Sequence, residues 1–241
     1  MSVDQEQITF KTYSERIQQD SLTWKILFPR QLELLEGKAC QEFIDAIQKL
    51  KNLIQDLPNI KALSKTLHEL VGWKLYPVAG LLEAKEYFQL LADKHHPVST
   101  SLREYENLDY SPFPDMWHDV FGHLPLLLYP VYGDFLQYIA QKWLVANDKQ
   151  KRQLSNVYWY TIEAGVCTEK GERRVYGASQ LSSRSEIKYA VSNQVIIENF
   201  NLEEIVKLSV NIHEMQSTLF EISDFEYLAI IKDGIEEIIK C

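Results

Sequence analysis

The stretch SPFPDMWHDVFGHLP, residues 111–125, holds two of the six histidines of the chain, His118 and His123, and places Asp119 beside the first. Successive residues of an α-helix are turned by about 100°, so positions five apart lie roughly 140° apart and do not share a face. If both imidazoles are to bind one metal ion, we therefore expect the chain to bend near Gly122 and Pro125, where a helix should end or loosen. The same spacing excludes the HExxH pattern of zinc proteases, whose two histidines stand one position closer together.

The length and composition predict one globular domain. The chain has 241 residues, of which 46% are hydrophobic, 12% aromatic and 24% charged, and these proportions are typical of globular proteins. No linker rich in Gly, Ser or Pro divides the chain. We therefore expect a single domain over residues 1–241, allowing for a flexible N-terminus over residues 1–20.

The charge and the cysteines exclude several classes of protein. A formal net charge of -9 argues against nucleic acid or an anionic membrane as partner, since both require clusters of lysine and arginine. The N-terminal sequence is acidic and polar, unlike a secretory signal, and the longest apolar stretches are too short to cross a bilayer. Cys40, Cys167 and Cys241 form no CxxC pair, so we expect neither disulfides nor a cysteine zinc site, and a cytoplasmic location.

The apolar periodicity predicts a mainly α-helical protein with short β-strands. Apolar residues at three- and four-residue steps indicate amphipathic helices over residues 38–55, 64–71, 83–94, 131–144 and 225–240. Ser64 is the expected N-cap of the second of these helices, and Gly72 stands at its end.

The segments between these helices predict the strands and loops. Residues 74–82 indicate a short strand or extended loop, and residues 166–177 a hairpin about Lys170 and Gly171. Residues 145–155 are expected to be a polar connection, whereas for residues 156–166 helix and strand stay open. The adjacent His95 and His96 precede Pro97, and we expect them on a solvated helix terminus followed by a loop.

Glu163 is the third candidate for a metal ligand. It lies in VYWYTIEAGV, residues 157–166, among bulky apolar residues that predict a buried segment. A buried glutamate is rare unless it is paired or binds a metal. Two neutral imidazoles and one carboxylate form the facial triad of non-haem Fe(II) oxygenases, which leaves coordination positions open. On the spacing alone, two histidines at the edge of the core with hydrogen-bond partners remain the alternative.

Three motifs together resemble one enzyme family. PDMWHDVFGHLPLL, VYWYTIEAGV and VYGASQLSSRSE resemble, in order and spacing, the catalytic core of the pterin-dependent aromatic amino acid hydroxylases, with the short bacterial phenylalanine 4-hydroxylases as the nearest group. The resemblance runs from about residue 24 to the end of the chain and weakens after Ser192. It implies the fold of a single-domain aromatic amino acid hydroxylase catalytic core, mainly α with short strands and a hairpin.

The resemblance implies a monooxygenase that depends on Fe(II) and a tetrahydropterin and uses O2 to hydroxylate the ring of a free aromatic amino acid. L-phenylalanine, converted to L-tyrosine, is the expected substrate. The alternatives are the same chemistry on L-tryptophan or L-tyrosine, an idle relative that binds pterin or a protein partner, and a zinc hydrolase. We expect neither the regulatory domain nor the tetramerisation helix of animal relatives, and therefore a monomer without substrate-driven regulation.

The resemblance also assigns residues to the metal and to the pterin. It implies His118, His123 and Glu163 as the iron ligands, with Tyr158 near the iron. Asp119 stands where the family usually has a glutamate that contacts the pterin or orders water. The implied pterin contacts are Val78, Gly80, Leu81, Leu82 and Tyr87, the last by stacking on the pterin ring.

For the amino acid substrate, Arg103 matches the family arginine that pairs with the substrate carboxylate. A guanidinium can hold a carboxylate through two parallel hydrogen bonds, and the alternative is a surface arginine paired with Glu104 or Glu106. The other implied substrate contacts are Ser111, Pro114, Trp159 and Ser182.

Several positions depart from the family pattern. Ala164 stands where the family more often has phenylalanine, and Ser179 and Gln180 stand where glycine and an aliphatic residue are usual. These changes can enlarge or polarise the substrate pocket. Ile212 occupies the position where tyrosine hydroxylases carry an aspartate, which favours phenylalanine as the substrate.

Overall fold

The computed structural model describes residues 13–109, 111, 113–211 and 214–239. Within these ranges the longer helices follow the chain in the order α1 (Tyr13–Leu35), α2 (Gln41–Ile54), α3 (Ile60–Val71), α4 (Ala84–Ala92), α5 (Pro130–Val145), α6 (Asp148–Tyr158) and α10 (Tyr227–Ile239). The short helices are α7 (Ala178–Ser182), α8 (Arg184–Ala190) and α9 (Leu202–Ile205). Two π-helices, His118–His123 and Trp159–Glu163, and two 3₁₀ turns, Tyr105–Asn107 and Leu124–Leu128, complete the helical structure.

The strands form two small sheets. β1 (Lys74–Val78) pairs in parallel with β2 (His95–Ser99). The second sheet has the order β4-β3-β6-β5 and consists of β3 (Val166–Glu169), β4 (Glu172–Val175), β5 (Ile196–Asn199) and β6 (Thr218–Ile222). β3 and β4 are antiparallel and turn through Lys170 and Gly171, both at positive φ, so the predicted hairpin is confirmed.

Aromatic side chains pack Trp117 and Phe121, on either side of His118, into the core. Trp117 stacks on Phe121 with ring centroids 4.2 Å apart. Trp24 and Phe28 of α1 and Phe43 of α2 meet these two rings edge-on. Aromatic pairs in this arrangement add to the stabilisation from burial. These contacts fix the π-helix His118–His123 against α1 and α2.

The amphipathic helices are mostly confirmed. α2, α4, α5 and α10 lie where the periodicity places them, and Leu228, Ile231 and Ile235 of α10 are buried. Ser64 is not the N-cap of α3, because that helix begins earlier and Asn59 accepts the N–H of Ala62. The Ser64 hydroxyl instead accepts the N–H of Leu75 and so ties α3 to β1.

Two expectations for the connecting segments are wrong. Most of residues 145–155 form α6, which starts with a capping box in which Asn147 and Gln150 bind each other's backbone N–H, a strong local start signal. His95 and His96 lie in β2 rather than in a solvated turn, and His96 is buried. The reason is long-range, because pairing with Leu75 of β1 draws His96 into the interior. None of the described helices is long and apolar enough to span a bilayer.

Candidate active site

A π-helix brings His118 and His123 together. In a π-helix residue i bonds to residue i+5, so positions five apart lie one turn apart, and the two Nε2 atoms are 3.0 Å apart. The helix is loosened into a π-helix that ends at His123, and a 3₁₀ turn containing Pro125 follows, so the expected loosening near Gly122 and Pro125 is confirmed, and the wide turn is what lets the imidazoles meet. Close packing explains the glycine at position 122, because a Cβ there would lie 2.7 Å from the carbonyl oxygen of Ala178 in α7.

A second π-helix carries Glu163. It continues directly from α6, so the segment over residues 156–166 is helical up to the ligand. Tyr158 and Glu163 are five apart, and the Tyr158 hydroxyl donates to Glu163 Oε1 at 3.0 Å. Both π-helices thus end on a candidate metal ligand, and wide turns of this kind are frequent at functional sites.

The three candidate ligands converge on one point. His123 Nε2 lies 3.3 Å from Glu163 Oε1, and His118 Nε2 lies 3.6 Å from Glu163 Oε2. One ligand atom from each residue lies within 4.8 Å of the others. Two imidazole nitrogens and a carboxylate suit iron, and their convergence fits one bound ion.

Side chains behind the ligands fix their orientation. His118 Nδ1 is 3.0 Å from the Ser182 hydroxyl, which itself donates to the carbonyl of Ala178. The imidazole N–H must therefore be on Nδ1, which leaves the Nε2 lone pair for a metal. Ser179 donates to Glu163 Oε2 at 2.8 Å. Ser182 stays a predicted substrate contact, while its hydroxyl supports His118.

Burial and mutual charge shift the pKa values of the three ligands. Burial, with help from His123, lowers the pKa of His118 to about 4 although Glu163 opposes it. Burial alone would raise the pKa of Glu163, but His123, His118 and the Ser179 hydroxyl hold it well below its usual range. Burial also acts to lower the pKa of His123, and Glu163 reverses this and raises it. A carboxylate anion facing imidazoles is the protonation pattern that attracts a cation.

A cavity of about 650 Å³ opens beside the ligands, a size typical of sites for small molecules. Its wall contains every residue predicted for the pterin: Val78, Gly80, Leu81, Leu82, Tyr87 and Asp119. Pro114, Trp159 and Tyr158 also line it. Gly80 has a φ of 87°, which glycine adopts without strain. The hydroxyls of Tyr87 and Tyr158 form a hydrogen bond of 2.6 Å.

The Asp119 carboxyl lines this cavity and has a shifted pKa. Its Oδ2 accepts the N–H of Ser99 at 2.7 Å. Burial raises its pKa to about 7, although this N–H acts in the opposite direction. Near neutral pH the group can therefore exist with or without its proton, so it can accept or donate a hydrogen bond.

Arg103 is paired with Asp115, a partner that the sequence reasoning missed. Arg103 Nε and Nη2 donate to the two carboxylate oxygens at 2.9 and 3.0 Å, and Nη1 donates to the carbonyl of Leu108. The alternative pairing with Glu104 or Glu106 is absent among these contacts. Asp115 also accepts the N–H of His118, so one carboxylate links Arg103 to the start of the first π-helix. An aspartate just before a helix is a typical N-cap, so the sequence could have indicated that Asp115 binds the backbone N–H of His118.

The remaining predicted residues are only partly brought to this cavity. Ser111 donates to the carbonyl of Phe113, and neither it nor Arg103 nor Ser182 is among the residues that line the cavity. Ala164 is buried behind Glu163. Ile212 lies outside the described residues.

Comparison with known proteins identifies the family. The family model for the biopterin-dependent aromatic amino acid hydroxylases matches residues 5–233. The chain belongs to this family. Phenylalanine-4-hydroxylase of Pseudomonas aeruginosa is 34% identical to this hydroxylase over 205 residues, covering 85% of this chain and 78% of the relative.

Solved structures of bacterial hydroxylases share the fold. The apo structure of the cold-active phenylalanine hydroxylase from Colwellia psychrerythraea has a TM-score of 0.87 and 32% identity, covering 99% of this chain and 92% of that chain. The Chromobacterium violaceum enzyme with iron(III) and 7,8-dihydrobiopterin has a TM-score of 0.85 and 35% identity, covering 92% and 80%. The predicted family and the mainly α fold of the hydroxylase catalytic core are therefore confirmed.

Proposed function

We propose that this chain is a monooxygenase that uses Fe(II), a tetrahydropterin and O2 to convert L-phenylalanine to L-tyrosine. The observation that carries the proposal is the convergence of His118, His123 and Glu163 beside the cavity lined by Tyr87 and Asp119. The family and the phenylalanine-4-hydroxylases among its relatives support the same reaction.

In the proposed enzyme, His118, His123 and Glu163 hold the iron. When bound, the iron and the reduced pterin together supply the redox chemistry that activates O2 for transfer of one oxygen atom to the aromatic ring. The chain contributes orientation. Both imidazole Nε2 atoms and the carboxylate face one another at the cavity wall, so the protein sets one side of the ion's coordination and leaves the cavity side open.

The cavity wall near Tyr87 is the proposed pterin site. Leu81 and Leu82 offer an apolar surface, and Gly80 lets the backbone approach a flat ring. Asp119 engages Oδ2 with the Ser99 N–H, and Oδ1 is then the atom proposed to accept from, or donate to, the pterin ring. The hydroxyl pair of Tyr87 and Tyr158 closes the wall towards Glu163.

Arg103 is proposed to bind the carboxylate of the amino acid. Asp115 and the Leu108 carbonyl use three of its five N–H groups. One N–H therefore stays on each terminal nitrogen, which is the pair that a carboxylate accepts. Pro114 and Trp159 line the same cavity as the iron ligands and are proposed to flank the ring. Ser111 and Ser182 are proposed as further substrate contacts.

The test is an aerobic assay of the purified protein with Fe(II), a tetrahydropterin and each of phenylalanine, tyrosine and tryptophan under ¹⁸O₂. We expect labelled tyrosine from phenylalanine, in step with pterin oxidation, by mass spectrometry. If tryptophan or tyrosine gives the labelled product instead, the proposed reaction type holds and the proposed substrate is wrong. Pterin binding without any turnover would contradict the proposal and favour an idle relative.

The ligand assignment has its own test. We expect Glu163→Ala to lose both tight iron binding and hydroxylation, because the carboxylate is the only anion among the three ligands. Glu172→Ala, at an exposed position of the hairpin, is the matched control. A Glu163→Ala protein with normal iron content and full activity would contradict the assignment.

We also propose a monomer in a reducing compartment, without nucleic acid or membrane partners. The net charge of -9 supports the exclusion of polyanions, and Cys40 and Cys167 are free and buried. Light scattering of the iron-loaded protein across a range of concentrations tests the monomer, and a constant mass near twice that of one chain would overturn it.

A further inference from the structure

Hydrogen bonds support two of the three candidate metal ligands, but not the third. His118 donates its Nδ1–H to Ser182, and each carboxylate oxygen of Glu163 accepts from a hydroxyl. His123 is almost completely buried, yet its Nδ1 has no hydrogen-bond partner among the described residues. Metal-bound histidines nearly always donate this second N–H to an acceptor, so an acceptor for His123 should lie close by.

The contacts of His123 determine which of its nitrogens carries the proton. Its Nε2 is turned towards Glu163 and His118. A nitrogen that gives its lone pair to a metal cannot carry the hydrogen, so in the metal-bound state the hydrogen must be on Nδ1. His123 therefore presents a buried donor on the side away from the metal.

His96 presents the complementary group. It is 1% exposed, and its Nδ1 lies 2.8 Å from the carbonyl oxygen of Pro97. A carbonyl can only accept, so the hydrogen of a neutral His96 is on Nδ1, and Nε2 is a bare acceptor. Within the described residues this Nε2 also has no partner.

The two unpartnered nitrogens belong to neighbouring rings. The centroids of His96 and His123 are 4.9 Å apart, with the ring planes inclined by 45°. His96 is almost completely buried, and a charged imidazole without a counter-ion is costly in the interior, so the neutral ring, which can accept, is the favoured form. Leaving both groups unpaired would be costly in the interior, whereas one shared hydrogen bond satisfies both.

We propose that His96 Nε2 accepts the hydrogen bond of His123 Nδ1–H, directly or through one buried water molecule, and so sets the tautomer and ring orientation of this ligand. His96 is then a positioning residue that acts on the metal through His123. The inference rests on the proposed ligand set of the hydroxylase and adds a third histidine, supplied by β2, behind the two that bind the metal.

The test compares three variants with Co(II) as the metal probe. His96→Phe removes the acceptor and keeps an aromatic ring, and His96→Gln restores an acceptor oxygen. His95→Phe changes the adjacent, less buried histidine and is the matched control. By competition with a chelator, we expect His96→Phe to bind Co(II) about 10- to 100-fold more weakly, His96→Gln to recover most of the loss, and His95→Phe to match the wild type.

Proton NMR of the Co(II)-loaded wild type supplies a readout that does not depend on activity. We expect two exchangeable N–H signals shifted by the metal, one from His118 and one from His123, and selective loss of one signal in His96→Phe. Wild-type affinity with both signals in His96→Phe would overturn the proposal. If His96→Phe does not fold, a wild-type spectrum with only one protected N–H would overturn it instead.

Failure of the wider assignment is distinguishable from failure of this inference. If the wild type binds no Co(II), or Glu163→Ala binds it equally well, the ligand set is wrong and the role of His96 falls with it. If Glu163→Ala loses the metal while both His96 variants bind as the wild type does, only the role of His96 is overturned.

Discussion

Glu163 is held through both of its carboxylate oxygens. The Tyr158 hydroxyl, at the end of α6, donates to Oε1, and the Ser179 hydroxyl donates to Oε2 from α7. Hydrogen bonds to a charged acceptor are among the stronger ones. Ser179 therefore anchors the ligand to a second element.

Ser179→Ala removes this second anchor without adding volume. We expect Co(II) binding to weaken by about 10-fold, because an incompletely oriented ligand binds less tightly, and Ser179→Thr to restore most of the affinity. Chelator competition measures the effect. Ser185→Ala, an exposed hydroxyl on α8, is the control, and wild-type affinity in Ser179→Ala would show that the hydroxyl does not position Glu163.

Asp115 allows a prediction about stability. Burial alone would raise its pKa, but Arg103 holds the pKa below its usual range, so the contribution of the ion pair persists above that range and is lost only in strong acid. We expect Asp115→Asn to lower the free energy of unfolding by about 3 kcal/mol at neutral pH, since it strands a buried guanidinium. Denaturant unfolding measures this.

The control for Asp115 is the exposed pair of Arg30 and Asp109, in which Asp109 is 55% exposed. We expect Asp109→Asn to cost less than about 1 kcal/mol, because solvent screens such a pair. Equal losses in the two variants would mean that the Arg103–Asp115 pair contributes no more than a surface contact.

At the scale of elements, the first π-helix depends on close contact with α7. A Cβ at Gly122 would lie 2.7 Å from the Ala178 carbonyl oxygen, and both partners are backbone that cannot rotate away. We expect Gly122→Ala to lower the free energy of unfolding by about 2 kcal/mol and to weaken Co(II) binding, as His118 and His123 move with the helix. Thermal unfolding and chelator competition measure the two effects.

Gly234→Ala is the matched control for Gly122. A Cβ at Gly234 would meet the flexible end of Leu202 at 2.9 Å, which can move aside. We expect this variant to keep wild-type metal affinity, because α10 carries none of the three ligands. A Gly122→Ala protein as stable as Gly234→Ala would mean that the π-helix can shift without loss.

The elements also show what sequence reasoning can and cannot reach here. Helices with a continuous apolar stripe, such as α2 and α10, were predictable because periodicity is local. The π-helices were not, since segments of six and five residues are too short to show a period of their own. The residues themselves raised the three candidate ligands and the resemblance assigned them to iron, whereas His96 was misplaced because its burial depends on the pairing of β2 with β1, which no local pattern reveals.

At the scale of the whole molecule, the candidate metal centre is a meeting point of separate elements. Two π-helices supply the ligands, while α7 contributes Ser179 and Ser182 and β2 contributes His96. Glu186 of α8 is a further acidic side chain whose pKa is affected by this centre. Burial, together with the Glu163 carboxylate, raises the pKa of Glu186 in α8 to about 7.

Glu186 should therefore make the stability of the metal-free protein depend on pH. An acid whose pKa is higher in the folded state contributes fully below its unfolded value, here 4.5, and loses that contribution as pH rises through about 7. We expect the contribution of Glu186 to fall by about 1–2 kcal/mol between about pH 5 and pH 8, because its partial exposure reduces the effect, while the lowered pKa values of His118 and His96 act in the opposite direction over the lower part of this range.

Glu186→Gln tests this, because glutamine stays neutral across the range. Denaturant unfolding at pH 5 and pH 8 should show that Glu186→Gln gains stability relative to the wild type at pH 8 but not at pH 5, whereas Glu226→Gln, at an exposed position before α10, should follow the wild type at both pH values. Bound Co(II) should also reduce the fall in the wild type, since the cation offsets the Glu163 charge that Glu186 experiences. A Glu186→Gln protein with the unchanged pH dependence would contradict the assignment of this acid.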